Sequence, residues 1–212
     1  MKILVTGFEP FGDQAINPSW LAVNGLPSEI NSASIEVMQI PTAFHRSMDK
    51  IQEKLETEHY DVVLAVGQAG GRPAVTPERV GINIDDASIP DNLGNQPIDA
   101  TIFEDGKRAY FSNLPVKRMV EALREVDIPA SLSNSAGTYV CNHVLYSLGY
   151  LQEKKYPNLK FGFIHVPFIH DQVEDNKYPS LSLHELVIGL KAIIQVITIH
   201  ETDVKSELGQ TH

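Results

Sequence analysis

The feature that most constrains this chain is the unbroken apolar run at Val62 to Val66, inside the segment Tyr60 to Val66. A strand with one wet face alternates apolar and polar residues. A continuous run needs both faces covered, as in a parallel sheet packed between helices. Ile3 to Thr6 and Lys160 to Val166 read as further core strands, and segments with helical spacing lie between them. From Ala43 to Glu58, Phe44, Met48, Ile51 and Leu55 fall at intervals that place them on one helix face. This alternation is the sequence form of an α/β fold with a largely parallel sheet.

Other elements follow from the same rules. Ser19 to Gly25 is a short helix with Pro18 in its opening turn, and Ile35 to Ile40 and Val80 to Ile84 are strands. Val116 to Val126 and Tyr139 to Lys154 are helices on either side of a short strand near Ala130 to Asn134. Ser182 to Ile199 is the last helix. Pro90 to Pro115 is polar and turn-rich, with a hairpin expected in its later half. It is too long for a bare connection and is expected to serve as a lid, an arm or an oligomer contact. Glu201 to His212 lacks apolar periodicity and is expected to fray.

Composition narrows the function. A chain of 212 residues fits one domain and buries enough surface to need neither disulfide nor metal. The single cysteine cannot pair within the chain, which suits a reducing compartment, and a cytosolic location is expected. No stretch has the form of a signal peptide or the ~18–20 apolar residues of a membrane span, so no membrane partner is expected. With 27 acidic and 17 basic residues the net charge is −10, and the basic residues are scattered. A nucleic-acid partner would want a basic face, so none is expected. The eight histidines show no zincin spacing and one cysteine cannot build a thiolate zinc site, so no metal is expected. The glycines from 67 to 71 lack the phosphate-loop and dinucleotide patterns, and no Gly-x-Ser-x-Gly elbow is present, so no cofactor is expected either.

In open α/β sheets ligands bind at the carboxyl ends of the parallel strands. Four segments bring unusual residues to that rim. The first strand leads to Phe8 and Phe11, and the Tyr60 to Val66 strand to Gln68. The strand near 130 leads through Ser135-Ala136-Gly137 to a helix whose first turn holds Cys141, and the strand from Lys160 ends near His165. A helix N-terminus favours thiolate, which makes Cys141 a candidate nucleophile, although position alone more often marks an inert buried cysteine. His165 fits either a catalytic base or a satisfied core histidine, and Glu78 a group that orients the imidazole, a salt-bridge partner of Arg79 or a solvated carboxylate. His143, two residues along the same helix, points away from Cys141.

Several motifs, in order, carry a resemblance. They are Val5-Thr6-Gly7-Phe8-Glu9-Pro10-Phe11-Gly12, Asn17-Pro18-Ser19-Trp20, Gly67-Gln68-Ala69-Gly70-Gly71-Arg72 and Pro77-Glu78-Arg79-Val80. Asn83-Ile84-Asp85-Asp86-Ala87 and Ile89-Pro90-Asp91-Asn92 follow, then the run from Ser133 through Cys141-Asn142-His143, and Phe163-Ile164-His165-Val166-Pro167. To about residue 199 the chain resembles the pyroglutamyl peptidase I (pyrrolidone-carboxylate peptidase) family of cysteine peptidases. The resemblance implies a single α/β domain over residues 1–200, phosphorylase/hydrolase-like, with helices on both sides of a twisted, mostly parallel sheet. It implies a homotetramer without metal whose substrates are peptides bearing an N-terminal pyroglutamate. It places the family's triad on Cys141, His165 and Glu78, and aromatic walls for the lactam on Phe8 and Phe11. Its apolar floor falls on Ile89 and its polar contacts on Gln68 and Asn17, Asn17 by shaping the first loop.

The implied chemistry is attack by the Cys141 thiolate and hydrolysis of a thioester, with the backbone N–H groups of Val140 and Cys141 as an oxyanion hole. One departure stands out: Ser88 occupies a position where the family usually carries arginine. Two other readings follow from the residues. Ser88 motivates a catalytically weakened binder of pyroglutamyl peptides, and the Gly67 to Gly71 loop a nucleoside phosphorylase-like enzyme.

Overall fold

The computed structural model describes residues 1–174 and 177–209. Strand β1 (Lys2–Phe8) pairs in parallel with β3 (Ala33–Ile40) on one side and β4 (Val62–Gln68) on the other. In turn β4 pairs in parallel with β8 (Lys160–Val166). Two short antiparallel strands close the edges, β2 (Glu29–Ile30) on β3 and β5 (Thr76–Glu78) on β8. The sheet order is β2-β3-β1-β4-β8-β5. After β1 the chain moves outward to β3 and then returns to the opposite side of β1. The strand order therefore switches between β1 and β4, and their carboxyl ends, Phe8 and Gln68, flank the crevice where such sheets bind ligands.

Strand alternation explains the unbroken runs. Ile3, Val5, Val62, Leu64, Val66, Ile164 and Val166 pack on one face against helices α1 (Pro18–Asn24), α3 (Val116–Glu125) and α5 (Leu183–Ile199). Leu4, Val63, Ala65, Phe161 and Phe163 pack on the other against α2 (Arg46–Thr57) and α4 (Val140–Lys154). Both faces are covered, so neither set is polar. The sandwich has helices on both sides of a mostly parallel sheet.

Some expectations change. Ala130 to Asn134 is an extended segment beside β5, joined by the bridges Val75–Ala130 and Glu78–Ser133 rather than by a ladder. Pro77 and Pro129 each lack an N–H, which interrupts pairing there. The strand at 80 ends early, as β6 (Val80–Ile82), and pairs antiparallel with β7 (Ala109–Phe111). That pairing takes the place of a hairpin inside the later half of 90–115.

The 90–115 segment lies against the body. Asp91 accepts N–H bonds from Phe44, Leu93 and Asn95 at 2.8–2.9 Å. Asn92 donates to the Pro10 carbonyl at 2.8 Å, and the Tyr139 hydroxyl to the Pro90 carbonyl at 3.0 Å. Further on, Phe103 stacks on Tyr150 of α4 with ring centroids 3.9 Å apart.

The described part of the expected tail makes specific contacts. Helix α3 begins after Pro115, which offers no side-chain cap. Asp203 supplies that function, accepting the Lys117 and Arg118 N–H groups at 3.0–3.1 Å. Leu208 packs against the core, and residues 210–212 lie outside the described residues.

Gly149 tests the packing of α4. A Cβ there stands 2.4 Å from the Tyr110 Cβ and 3.0 Å from the Phe161 ring. Gly149→Ala gains about 1 kcal/mol of helix propensity against overpacking of typically ~1–3 kcal/mol. The expected result is a thermal midpoint lowered by a few degrees in a circular dichroism melt. A raised midpoint would show that β7 gives way freely.

Candidate active site

The parallel register carries His165 to the carboxyl rim beside Gly67, its direct partner across β4 and β8. On the other side of β8, Thr76 stands opposite His165 and Glu78 opposite Phe163. Residues two apart in a strand share a face, so Glu78 and His165 are diagonal neighbours within reach of each other. His165 Nδ1 lies 2.7 Å from Glu78 Oε1. Glu78 is 0% exposed and His165 4%. The carboxylate accepts from Nδ1–H, which fixes the tautomer and leaves Nε2 free to act on a proton elsewhere. Arg79 is not the partner of Glu78: it donates to Asn134 at 3.0 Å, while Arg72 Nη1 reaches Glu78 Oε1 at 2.6 Å.

Cys141 arrives from the opposite direction, in the first turn of α4. Tyr139 precedes that helix without a side-chain cap, and the first bond to close is from the His143 N–H to the Tyr139 carbonyl at 3.1 Å. The N–H groups of Val140 and Cys141 stand ahead of it, among the donors that a helix leaves without an internal partner. The sulfur rests over Gly67, where a built Cβ would stand 2.9 Å from Sγ and 2.8 Å from the Phe163 ring. The glycine is what lets α4 bring the thiol down onto the β4–β8 pair.

Electrostatics set the resting protonation. Burial raises the Cys141 pKa, Glu78 raises it further, and Arg72 opposes them. Burial lowers the His165 pKa, against the bond to Glu78. Burial pushes Glu78 upward, but the His165 bond, a bond from Ser133 and the Arg72 charge outweigh it and hold the group below its ordinary value. The resting site is thus a neutral thiol, a neutral imidazole and a carboxylate. The helix N-terminus favours thiolate, but burial prevails.

Cys141 and His165 line one small cavity of about 130 Å³ together with Phe8, Phe11, Asn17, Thr42, Gln68, Ala136 and Tyr139. Phe8, Phe11, Asn17 and Gln68 are therefore gathered around Cys141 and His165. The Asn17 side chain caps α1 and binds the Glu9 carbonyl at 3.0 Å, so it shapes the loop. Ile89 lies instead in an adjoining open groove of about 500 Å³ that shares Phe11 and Gln68 with the cavity and adds Phe168. Ser88 is exposed.

Thr42, Ala136 and Tyr139 were not singled out from the sequence. Thr42 follows the carboxyl end of β3, so the rim rule that found Phe8 also reaches it. Tyr139 sits two residues before Cys141, and its ring packs edge-on to Phe44 at 5.4 Å.

Other polar clusters lack this arrangement. His143 is buried against Asp85 at 2.7 Å and accepts the His45 N–H at 3.3 Å, which commits both ring nitrogens. A groove of about 420 Å³ at the far end of the sheet, between Leu55–Tyr60 and Lys155–Leu159, has its charged groups in surface ion pairs, Lys155 with Glu56 at 2.7 Å and His59 with Asp61 at 3.5 Å. Among the described residues no group of three or more His, Cys, Asp or Glu side chains is gathered as for a metal ion.

Known proteins share this architecture. The sequence profile of the pyroglutamyl peptidase family matches residues 1–200. The chain is 57% identical over 211 residues to the pyrrolidone-carboxylate peptidase of Staphylococcus carnosus, covering 99% of each chain. It is 60% identical over 213 residues to that of Staphylococcus haemolyticus, covering 100% of each. The crystal structure of pyroglutamyl peptidase I from Bacillus amyloliquefaciens superposes with a TM-score of 0.94 at 43% identity, covering 97% of this chain and 98% of that one.

Gly67→Ala tests the approach of the thiol to the sheet. The added methyl must displace the sulfur or the Phe163 ring, and a shift of about 1 Å in a reacting group is worth on the order of 100-fold in rate. Turnover is expected to fall by roughly that factor while the folded protein remains alkylatable at Cys141. Undiminished turnover would show that the contact yields without consequence.

Proposed function

This chain is a member of the pyroglutamyl peptidase family, cysteine peptidases that remove an N-terminal pyroglutamyl residue, and we propose that Cys141 is its nucleophile, His165 its general base and acid, and Glu78 the carboxylate that holds the imidazole. The observation that carries this assignment is that Cys141 and His165 open on one small cavity, with Glu78 bonded behind the histidine.

His165 Nε2 takes the thiol proton as Cys141 Sγ bonds to the carbonyl carbon joining pyroglutamate to the next residue. The oxyanion that forms is met by the Val140 and Cys141 N–H groups. Collapse breaks the carbon–nitrogen bond, and the proton held on His165 passes to the departing amine. A water then gives a proton to His165 and attacks the thioester, and the returning proton regenerates the thiol and frees pyroglutamate. Glu78 stabilises the imidazolium at each turn without accepting its proton.

The cavity also supports the choice of substrate. An ordinary N-terminal residue carries an ammonium group that needs an anionic partner when it leaves water. Among the described residues no Asp or Glu lines the cavity. Pyroglutamate is a flat, neutral lactam, and the Phe8, Phe11 and Tyr139 rings suit its faces. Assembly as a homotetramer and a cytosolic location belong to the same proposal. Exposed Leu93, Ile98 and Phe111 support assembly, and light scattering at about four times the chain mass is the expected result. Among the described residues no helix is long and apolar enough to cross a membrane.

Hydrolysis of pyroglutamyl-coumarin amide under reducing conditions tests the assignment. Cys141→Ala is expected to lower turnover by at least about 1000-fold, and alanyl-coumarin amide, with its free ammonium, to resist cleavage. Binding without turnover would favour the binder reading, and phosphate-dependent release of a base from a nucleoside the phosphorylase reading. The pH profile gives a second check. His165 must be neutral to accept the thiol proton, and its pKa is lowered, so kcat/KM should rise through an apparent pKa below about 6.5. The raised thiol pKa should delay the alkaline fall beyond about 8.5. A profile already falling near neutrality would contradict a neutral resting pair.

A further inference from the structure

Arg72 is the residue at the site whose role neither the cavity nor the triad accounts for. It follows Gly71, whose φ of +88° is a left-handed conformation that glycine adopts without strain, in the loop after β4. The side chain returns across the end of β5. Nη1 lies 2.6 Å from Glu78 Oε1 and 2.7 Å from Thr76 Oγ1, with Ser133 Oγ at 3.5 Å. Nη2 donates to the Ser135 carbonyl at 3.2 Å. One planar guanidinium thus joins β5, which carries Glu78, to the 133–135 segment, which leads into the helix of Cys141. Its side chain is 33% exposed while that of Glu78 is 0% exposed, so the cation reaches a wholly buried carboxylate from the solvent side.

We propose that Arg72 is a positioning residue for the reaction: it clamps Glu78 Oε1 on His165, fixes the extended segment that leads to Cys141, and supplies the positive charge that keeps the reacting cluster neutral.

The proposal rests on the triad assignment above and deepens it. Glu78 Oε1 accepts from both His165 Nδ1 and Arg72 Nη1, so neither donor can move without re-aiming the carboxylate. Glu78 and Arg72 are the charged groups acting on both Cys141 and His165. At rest the cluster holds one carboxylate and one guanidinium. Proton transfer from thiol to imidazole adds one negative and one positive charge, and the total stays at zero. Without Arg72 the same transfer takes place in a buried cluster with a net negative charge, and a new thiolate is then opposed by an uncompensated carboxylate. Arg72 lowers the pKa of Cys141, His165 and Glu78 alike.

Arg72 does not line the cavity, so substrate affinity should not depend on it directly. The experiment compares parent, Cys141→Ala, Arg72→Gln and Arg72→Lys on pyroglutamyl-coumarin amide across pH. The pH dependence of Cys141 alkylation by iodoacetamide is measured in parallel, with circular dichroism as the fold control. For Arg72→Gln the expected result is a kcat lowered roughly 10–100-fold, the worth of a charge-assisted hydrogen bond, with KM little changed. Both limbs of the kcat/KM profile and the alkylation curve should move to higher pH together. Arg72→Lys keeps the charge without the fork, so its profile should stay at the parent's pH while kcat remains reduced.

A folded Arg72→Gln variant with parental kcat, or with a lowered kcat and an unmoved profile, would overturn the proposal. If Arg72→Gln does not fold, Arg72→Lys decides, since full parental kcat in that variant would exclude a positioning role for the fork. A parent without turnover, or an active Cys141→Ala, would sink the triad assignment itself, and is told apart from failure of the Arg72 proposal by the first two proteins alone.

Discussion

The site depends on one buried carboxylate remaining charged. Glu78 is 0% exposed, and an ionised carboxylate removed from water without partners takes up a proton or costs several kcal/mol. Its oxygen Oε1 instead accepts from His165 and Arg72. This requirement accounts for the irregular edge of the sheet. Strand β5 is short and contains a proline, which makes it a poor strand by propensity. It is held there because antiparallel pairing with β8 is the arrangement that sets Glu78 diagonal to His165. The 133–135 segment covers the same edge and receives the other end of Arg72. The histidine, the edge strand and the approach to the Cys141 helix are parts of one charge-satisfying network.

The thiol presents the opposite problem. A helix N-terminus offers partial positive charge, which on its own would argue for a resting thiolate. The first turn of α4 is pressed against Gly67 and Phe163, and burial outweighs the dipole. A neutral pair has an advantage in a small apolar cavity. In the proposed mechanism charge appears only as the carbonyl is attacked, when the donors at the helix start and the Glu78–His165 bond face it. Preorganised groups of this kind stabilise the transition state more than the ground state.

The sequence was most informative where a buried periodicity or a rim position decided the matter. The strands ending at Phe8, Gln68 and Val166 were legible because continuous apolar runs allow few alternatives, and the rim rule then gathered Phe8, Phe11, Gln68, Cys141 and His165. The partner of Glu78 was not legible as Arg79, the neighbour in sequence. Successive side chains in an extended segment point to opposite faces, so an adjacent residue is the wrong place to seek an ion-pair partner. Arg72, six positions earlier, reaches Glu78 only because the Gly71 turn brings the chain back. The segment near 130 has strand composition but lies where two prolines interrupt pairing, a conflict that propensity alone does not resolve. Asp203 capping α3 across more than eighty residues of chain leaves no local signal at all.

Ser88 takes on a different meaning in this setting. An arginine at that position would start from the exposed segment next to Ile89, which lines the groove adjoining the cavity. Ser88 itself is exposed and outside the cavity lining. Arg72 brings its charge from behind the triad, through the carboxylate that already supports the base. A cation on the substrate side can act on the oxyanion directly. One behind Glu78 acts mainly by keeping the thiol–imidazole proton transfer within a neutral cluster. With serine at position 88 the Arg72 contact to Glu78 is in place, and in the proposed mechanism the backbone donors at the start of α4 meet the oxyanion. The charge compensation thus reaches the buried carboxylate from the Gly71 turn, behind the sheet edge, and does not pass through the exposed segment that holds Ser88.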